Sequence, residues 1–275
     1  MGPFEREGGY AEMLGMSPSF PYVLGSEGAG TIAAVGDGLT GRAVGERAFA
    51  ASFLNPAGGF YAEYVCVDAG LVAPIPAGMS TSQAAVMGGV GMTALRGLRE
   101  ALDLRSGERL LVHGASGAMG HLAVQLGERL GARVLAVASG DDGVALAARA
   151  GAELAIDGRA EQVADGARRF SADGLDAALL TAGGPAADAA VAAVRPGGRA
   201  AYPTGVQPEP ASTPGVEPQA FSGEPDEELL ERFIALIGDR PLDVHIAREF
   251  TFDQIPAAHQ ALGDHHLGKL AITIG

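Results

Sequence analysis

One segment constrains this chain more than any other: Leu110-Leu111-Val112-His113-Gly114-Ala115-Ser116-Gly117-Ala118-Met119-Gly120. An apolar run of strand character passes through a glycine-spaced turn into a stretch of helical period. Gly114 and Gly117 permit a tight turn and a close approach of backbone to a ligand, and Gly120 lets the helix lie against the strand. The start of that helix offers unpaired N–H groups and a partial positive charge, which suits an anion. A plain strand-to-helix turn is the competing reading, because the chain has 42 glycines in 275 residues. The residues beyond the turn favour the ligand. Arg133 to Ala138 reads as the next strand, so a complete strand–helix–strand unit is present.

The alternation continues. A helix ends near Gly151; Leu154 to Ile156, Leu175 to Leu180 and Arg199 to Tyr202 read as further strands with helical stretches between them. Near-continuous apolar strands separated by helices predict a parallel sheet covered on both faces. Ser82 to Leu102 is helical in period. Residues 203–225 are proline-rich and read as a loop, Glu227 to Ile237 as an amphipathic helix, and Ile246–Phe250, Phe252–Leu262 and Lys269–Ile274 as strand, helix, strand. The first 80 residues differ. Val23-Leu24, Thr31–Val35 and Tyr61–Val67 are strand candidates between glycine-rich turns, which predicts a small β-rich domain.

Such a unit is a Rossmann-type dinucleotide-binding module, whose pyrophosphate would sit on the residues Gly114, Ala115, Ser116, Gly117, Ala118, Met119 and Gly120. The end of the second strand selects the dinucleotide. It reads Val137-Ala138-Ser139-Gly140, with no carboxylate to hold a ribose 2′-hydroxyl. Ser139 leaves room for a 2′-phosphate and Arg159 could supply its counter-charge, unless Arg159 is an ordinary solvated arginine. Thr181, Ala182 and Gly183 after the fourth strand, and Tyr202 and Thr204 after the fifth, fall at the carboxyl edge where such sheets bind ligands.

Taken with Pro21–Gly30, Val44-Gly45-Glu46-Arg47, Gly59–Tyr64, Gly91-Met92-Thr93-Ala94, Arg195–Arg199 and Gly268-Lys269, the turn resembles the medium-chain dehydrogenase/reductase superfamily in its zinc-free, quinone oxidoreductase-like branch. The resemblance implies an α/β fold: a Rossmann doubly wound parallel sheet over residues 87–241, and a truncated GroES-like β domain from residues 1–86 and 242–275, its N-terminal strands missing. It implies hydride transfer from NADPH, with NADH left open, to a quinone or an α,β-unsaturated carbonyl. Tyr10 falls where relatives place a pocket tyrosine and could donate a proton to the developing oxyanion; packing on the surface is its alternative. Thr93 could bond the nicotinamide side, or be a helix-interior threonine. Many relatives carry a lysine and a tyrosine near the adenosine phosphate, where this chain has Gly143 and Gly158. A non-redox or cofactor-sensing protein, lyase- or cyclase-like, on the same fold is the alternative function.

The bulk composition narrows the remaining classes. The formal net charge is −14 and no basic cluster stands out, which argues against nucleic acid. Cys66 is the single cysteine, so an intrachain disulfide and a cysteine-rich zinc site are both excluded. Asp264, His265 and His266 are adjacent in a turn and ill-placed to share one metal; no metal is expected. Ser116 lacks the nucleophile elbow and base partner of a hydrolase. No apolar run is long enough to span a membrane, and no signal peptide is seen, so a cytoplasmic protein acting on a small-molecule substrate is expected, with no membrane partner. The resemblance further implies a homodimer through the edge of the Rossmann sheet.

Overall fold

The computed structural model describes residues 5–15 and 20–274. The chain divides into two units. The first runs to Met92 and takes in Glu224–His265 and the residues from Leu270 onward; the second comprises Thr93–Gly223 with His266–Lys269.

The second unit is built on a six-stranded sheet. Its strands are β4 (Arg109–His113), β5 (Arg133–Ala138), β6 (Leu154–Asp157), β7 (Leu175–Leu180), β8 (Val194–Pro203) and β9 (Pro218–Phe221), in the order β6-β5-β4-β7-β8-β9. Each pairing is parallel. The chain therefore enters the sheet at its centre, winds outward through β5 and β6, then returns to the other side of β4. That reversal between β4 and β7 is a topological switch point, and sheets of this kind bind ligands there, at the carboxyl ends of the strands.

The strands are apolar because both faces are covered. Leu110, Leu111, Leu135, Leu175, Ala178 and Leu180 are fully buried, and β5 is buried from Val134 to Ala138. The helix Gly120–Arg129 packs so closely that all residues from Gly120 to Gly127 are buried. One departure from sequence expectation occurs in this unit. Residues 203–225 are not all loop: Pro218–Phe221 forms β9 and pairs from Ala200↔Pro218 to Pro203↔Phe221. Proline is tolerated at the first position of this edge strand, where its missing N–H breaks no ladder.

The first unit contains an antiparallel sheet of β1 (Glu27–Thr31), β2 (Arg47–Ala51) and β3 (Val72–Pro74), with β10 (Ile246–Thr251) and β11 (Lys269–Thr273) paired separately. Helix Glu227–Ile237 is capped by Asp226, whose Oδ1 accepts the Leu229 N–H at 2.8 Å, and buries Leu229, Leu230, Phe233 and Ile237. The three strand candidates near the N-terminus are corrected. Thr31–Val35 supplies only Thr31 to β1, and neither Val23-Leu24 nor Tyr61–Val67 is a strand. Tyr61–Val67 contains no fully buried residue, with Tyr64 79% exposed, and pairs with no strand. Gly59 instead crosses the Leu24–Gly25 backbone, where a Cβ would lie 2.4 Å from the carbonyl oxygens of both residues.

Candidate cofactor site

The glycine turn joins β4 to the helix Gly120–Arg129 at the switch point of the sheet. Gly114 has φ +74°, and a Cβ there would meet Thr181 Oγ1 at 2.3 Å. Gly120 is excluded from any larger side chain for a different reason: its Cβ would lie 2.1 Å from the Gly114 carbonyl oxygen. The turn is pinned from both sides. The Ala115 N–H donates to Val137 O at 3.0 Å, and the Gly117 N–H closes back on Gly114 O at 2.9 Å.

Met119, the residue capping this helix, makes no side-chain cap bond. Among the described residues the N–H groups of Ser116, Ala118 and Met119 reach no backbone acceptor outside helices and strands. A helix start left without acceptors at the carboxyl edge of a parallel sheet suits a pyrophosphate, which accepts several N–H bonds and is favoured by the helix dipole. The residues present thus fit a dinucleotide.

The structure brings several sequence candidates to this turn. Thr181 Oγ1 donates to His113 O at 2.8 Å and approaches Gly114 O at 3.3 Å, so its hydroxyl braces the turn. Ala182 O lies 3.2 Å from His113 Nδ1. Burial holds the His113 imidazole below the usual histidine range, partly offset by that carbonyl. A Cβ on Gly183 would meet Pro208 O at 2.1 Å, so the segment after β7 is held against the 203–225 stretch.

Other candidates sit away from the turn, all but Tyr10 in the second unit. Thr93 Oγ1 donates to Gly223 O at 3.3 Å. Tyr202 is buried in the hydrophobic core, and Thr204 Oγ1 bonds Phe221 O at 3.1 Å, fastening β9. Ser139 caps the helix Gly140–Arg149 without a side-chain cap bond, and Arg159 is exposed. Tyr10 lies on the short helix Gly9–Leu14, but its side chain falls outside what the structure describes.

Two contributors to this site were not assigned to it from sequence. Gly268, far along the chain, donates its N–H to Ser116 O at 2.8 Å and so fastens the chain end to the turn. Asp157, the last residue of β6, accepts the N–H of Gly140 and of Arg159, each at 3.0 Å on Oδ1. Its position at a third strand end, 17 residues beyond Gly140, hid it.

In the first unit, buried Glu5 accepts from Tyr22 OH and from the Gly25 N–H, both at 3.0 Å. Burial pushes the Glu5 carboxyl above its ordinary value, and those two bonds partly restrain it. Tyr61, 3.3 Å from His259 Nε2, is pushed up to about 12 by burial and by the charges of Glu5 and Glu27. Among the described residues no group of three His, Cys, Asp or Glu side chains is arranged to hold a metal ion.

Two family matches cover different parts of the chain. Residues 5–77 match the family described as "Alcohol dehydrogenase GroES-like domain", and residues 118–218 match "Zinc-binding dehydrogenase". Human quinone oxidoreductase is 32% identical over 172 residues, 62% of this chain and 50% of that protein. On these matches the chain is similar to the medium-chain dehydrogenase/reductase proteins in both of their domain families. The chain is also 34% identical to the pikromycin polyketide synthase component PikAII of Streptomyces venezuelae, over 95% of its own length and 7% of that protein. The chain thus spans half or less of these curated relatives.

Solved structures agree on the fold. A superfamily protein from Novosphingobium aromaticivorans superposes with TM-score 0.86 at 28% identity, covering 100% of this chain and 89% of that one. The mycobacterial Rv1454c, solved in complex with NADPH, gives TM-score 0.79 at 25% identity, with 98% and 86% covered. The expected fold, a Rossmann sheet with a GroES-like β portion, is present.

Proposed function

We propose that this chain is an NADPH-dependent oxidoreductase that transfers hydride, without zinc, to a quinone or an α,β-unsaturated carbonyl. The observation that carries the reading is the acceptor-free helix start at Ser116, Ala118 and Met119, set at the switch point of the sheet. A reduced nicotinamide bound there would supply the hydride, and the protein's task would be to orient it and to stabilise negative charge developing on the substrate oxygen. The turn residues Gly114 to Gly120 would seat the pyrophosphate, Ser139 and Arg159 the adenosine end, and Tyr10 would donate a proton to the oxygen. Thr93 and the strand-end residues Thr181, Ala182 and Gly183 would border the nicotinamide half.

Support comes from the neighbours: quinone oxidoreductases among the relatives, and an NADPH complex among the solved folds. The zinc-free reading is supported by the donor set, since Cys66 is the single thiol and is exposed. A second reading concerns the substrate. The match to a polyketide synthase component over 95% of the chain favours an unsaturated acyl thioester, one member of the same carbonyl class.

The test is direct because the chain has no tryptophan. Reduced-nicotinamide fluorescence should be enhanced on addition of protein, and NADPH should then be consumed with a quinone or with a crotonyl thioester. Absence of binding by both NADPH and NADH at millimolar concentration overturns the proposal. Binding without consumption across both substrate panels would favour the non-redox alternative.

A further inference from the structure

The adenosine corner of the proposed cofactor site contains a charge that opposes a 2′-phosphate. The carboxyl ends of β5 and β6 lie side by side, with Ala138 opposite Asp157 in the register. Asp157 ends β6, and its side chain reaches the Gly140 N–H just past Ser139. Its Oδ1 bridges the N–H groups of Gly140 and Arg159, while Oδ2 accepts no bond among the described residues. Those two N–H groups, the one from Arg159 foremost, hold the carboxyl below its ordinary range, so it is ionised at neutral pH.

Two positions flanking this corner, Gly143 and Gly158, are crowded. A Cβ on Gly143 would lie 2.9 Å from Ser116 Cβ, and one on Gly158 would lie 2.8 Å from Val137 Cγ1. Both positions are therefore filled by neighbouring side chains, and neither can carry a lysine or tyrosine toward the ribose without repacking. Arg159 is left as the cation of the corner, with Asp157 two residues before it. A 2′-phosphate, doubly charged near neutrality, gains from Arg159 and is repelled by Asp157. A 2′-hydroxyl can donate to Oδ2 and meets no repulsion.

We propose that Asp157 is the specificity-determining residue for the ribose 2′ position, offsetting Arg159 so that the chain binds NADH and NADPH within about tenfold of each other. The inference rests on the nicotinamide reading and deepens it: NADPH is accepted, and NADH is a competent alternative. It assigns the discrimination to the end of the third strand of the sheet's first half, where the second strand end supplies only Ser139.

Dissociation constants of the full chain for NADPH and NADH, read by nicotinamide fluorescence, test this. Competition by 2′,5′-ADP and 5′-AMP isolates the corner from turnover. Asp157→Asn keeps an oxygen acceptor for the Gly140 and Arg159 N–H groups and removes the charge. It should tighten NADPH and 2′,5′-ADP about tenfold and weaken NADH and 5′-AMP by up to about tenfold, because the amide NH2 left facing the ribose cannot accept from the 2′-hydroxyl. Arg159→Gln, at an exposed position, should do the reverse, weakening NADPH and 2′,5′-ADP alone. An unchanged NADPH/NADH ratio in Asp157→Asn overturns the assignment, as does a wild-type preference beyond about tenfold either way. Failure of the wild type to bind either nucleotide overturns the underlying nicotinamide reading as well, so the two failures are distinguishable.

Discussion

At the scale of single residues, close approach decides more than chemistry does. Gly120 is the clearest case. In an exposed helix interior, Gly→Ala adds up to about 1 kcal/mol of stability. Here the new Cβ would sit 2.1 Å from Gly114 O, so the turn must shift. Gly120→Ala is therefore expected to lower stability by about 1–3 kcal/mol and weaken NADPH binding at least about tenfold. Urea midpoints and a fluorescence titration check both; a raised midpoint with intact binding would refute the account. His113 gives a pH signature. Burial lowers its pKa in the folded chain, so between that lowered value and the ordinary 6.5 the unfolded chain binds more protons. Stability contributed by this site is full above about pH 6.5 and falls as pH drops toward the folded value. His113→Asn should flatten that part of the profile, measured as urea midpoint against pH from about 7.5 to 5.5; identical slopes in both proteins would remove the assignment.

At the scale of elements, the parallel strands were legible and the N-terminal ones were not. Arg109–His113, Arg133–Ala138 and Leu175–Leu180 announce themselves because burial on both faces demands unbroken apolar runs. Helix Glu227–Ile237 is equally plain, since its apolar spacing and its Asp226 cap agree. Tyr61–Val67 is as apolar but pairs with no strand, and Pro218–Phe221 hides in a proline-rich stretch because an edge strand needs only one ladder. Two changes test these elements. Leu111→Ala, in the fully buried centre of β4, should cost about 2–5 kcal/mol in a chemical denaturation curve. Asp226→Ala should cost only about 1 kcal/mol, because it removes one helix cap and leaves the packed face of Leu229, Leu230 and Phe233 intact. Equal losses in the two variants would contradict this ranking.

For the whole molecule, the net charge of −14 matters most to how an anionic cofactor arrives. The helix start at Ser116–Met119 holds phosphate locally, while the long-range field repels it. Added salt should therefore speed NADPH association, opposite to the behaviour of a basic binding surface. Stopped-flow rates between about 10 and 200 mM NaCl would show this, and a rate that falls with salt would place an unrecognised basic funnel over the site. Bound cofactor should also stabilise the fold: at about 100 times its Kd, NADPH is expected to add about 2.7 kcal/mol. No helix among the described residues is long and apolar enough to cross a membrane.

The sequence alone determined the parallel sheet, the glycine turn at Gly114–Gly120 and the family resemblance. Each of these is local or periodic: a strand–turn–helix run, apolar strands of constant type, short motifs in order. Only the tertiary structure decided which groups gather around the turn. Thr181 became a brace and Gly268 a fastener through contacts with residues 67 and 152 positions away. Asp157 entered the adenosine corner because parallel pairing sets the end of β6 beside the end of β5. Spacing along the chain cannot report such neighbours, since the crossover helix that separates two parallel strands in sequence is what returns them side by side in space.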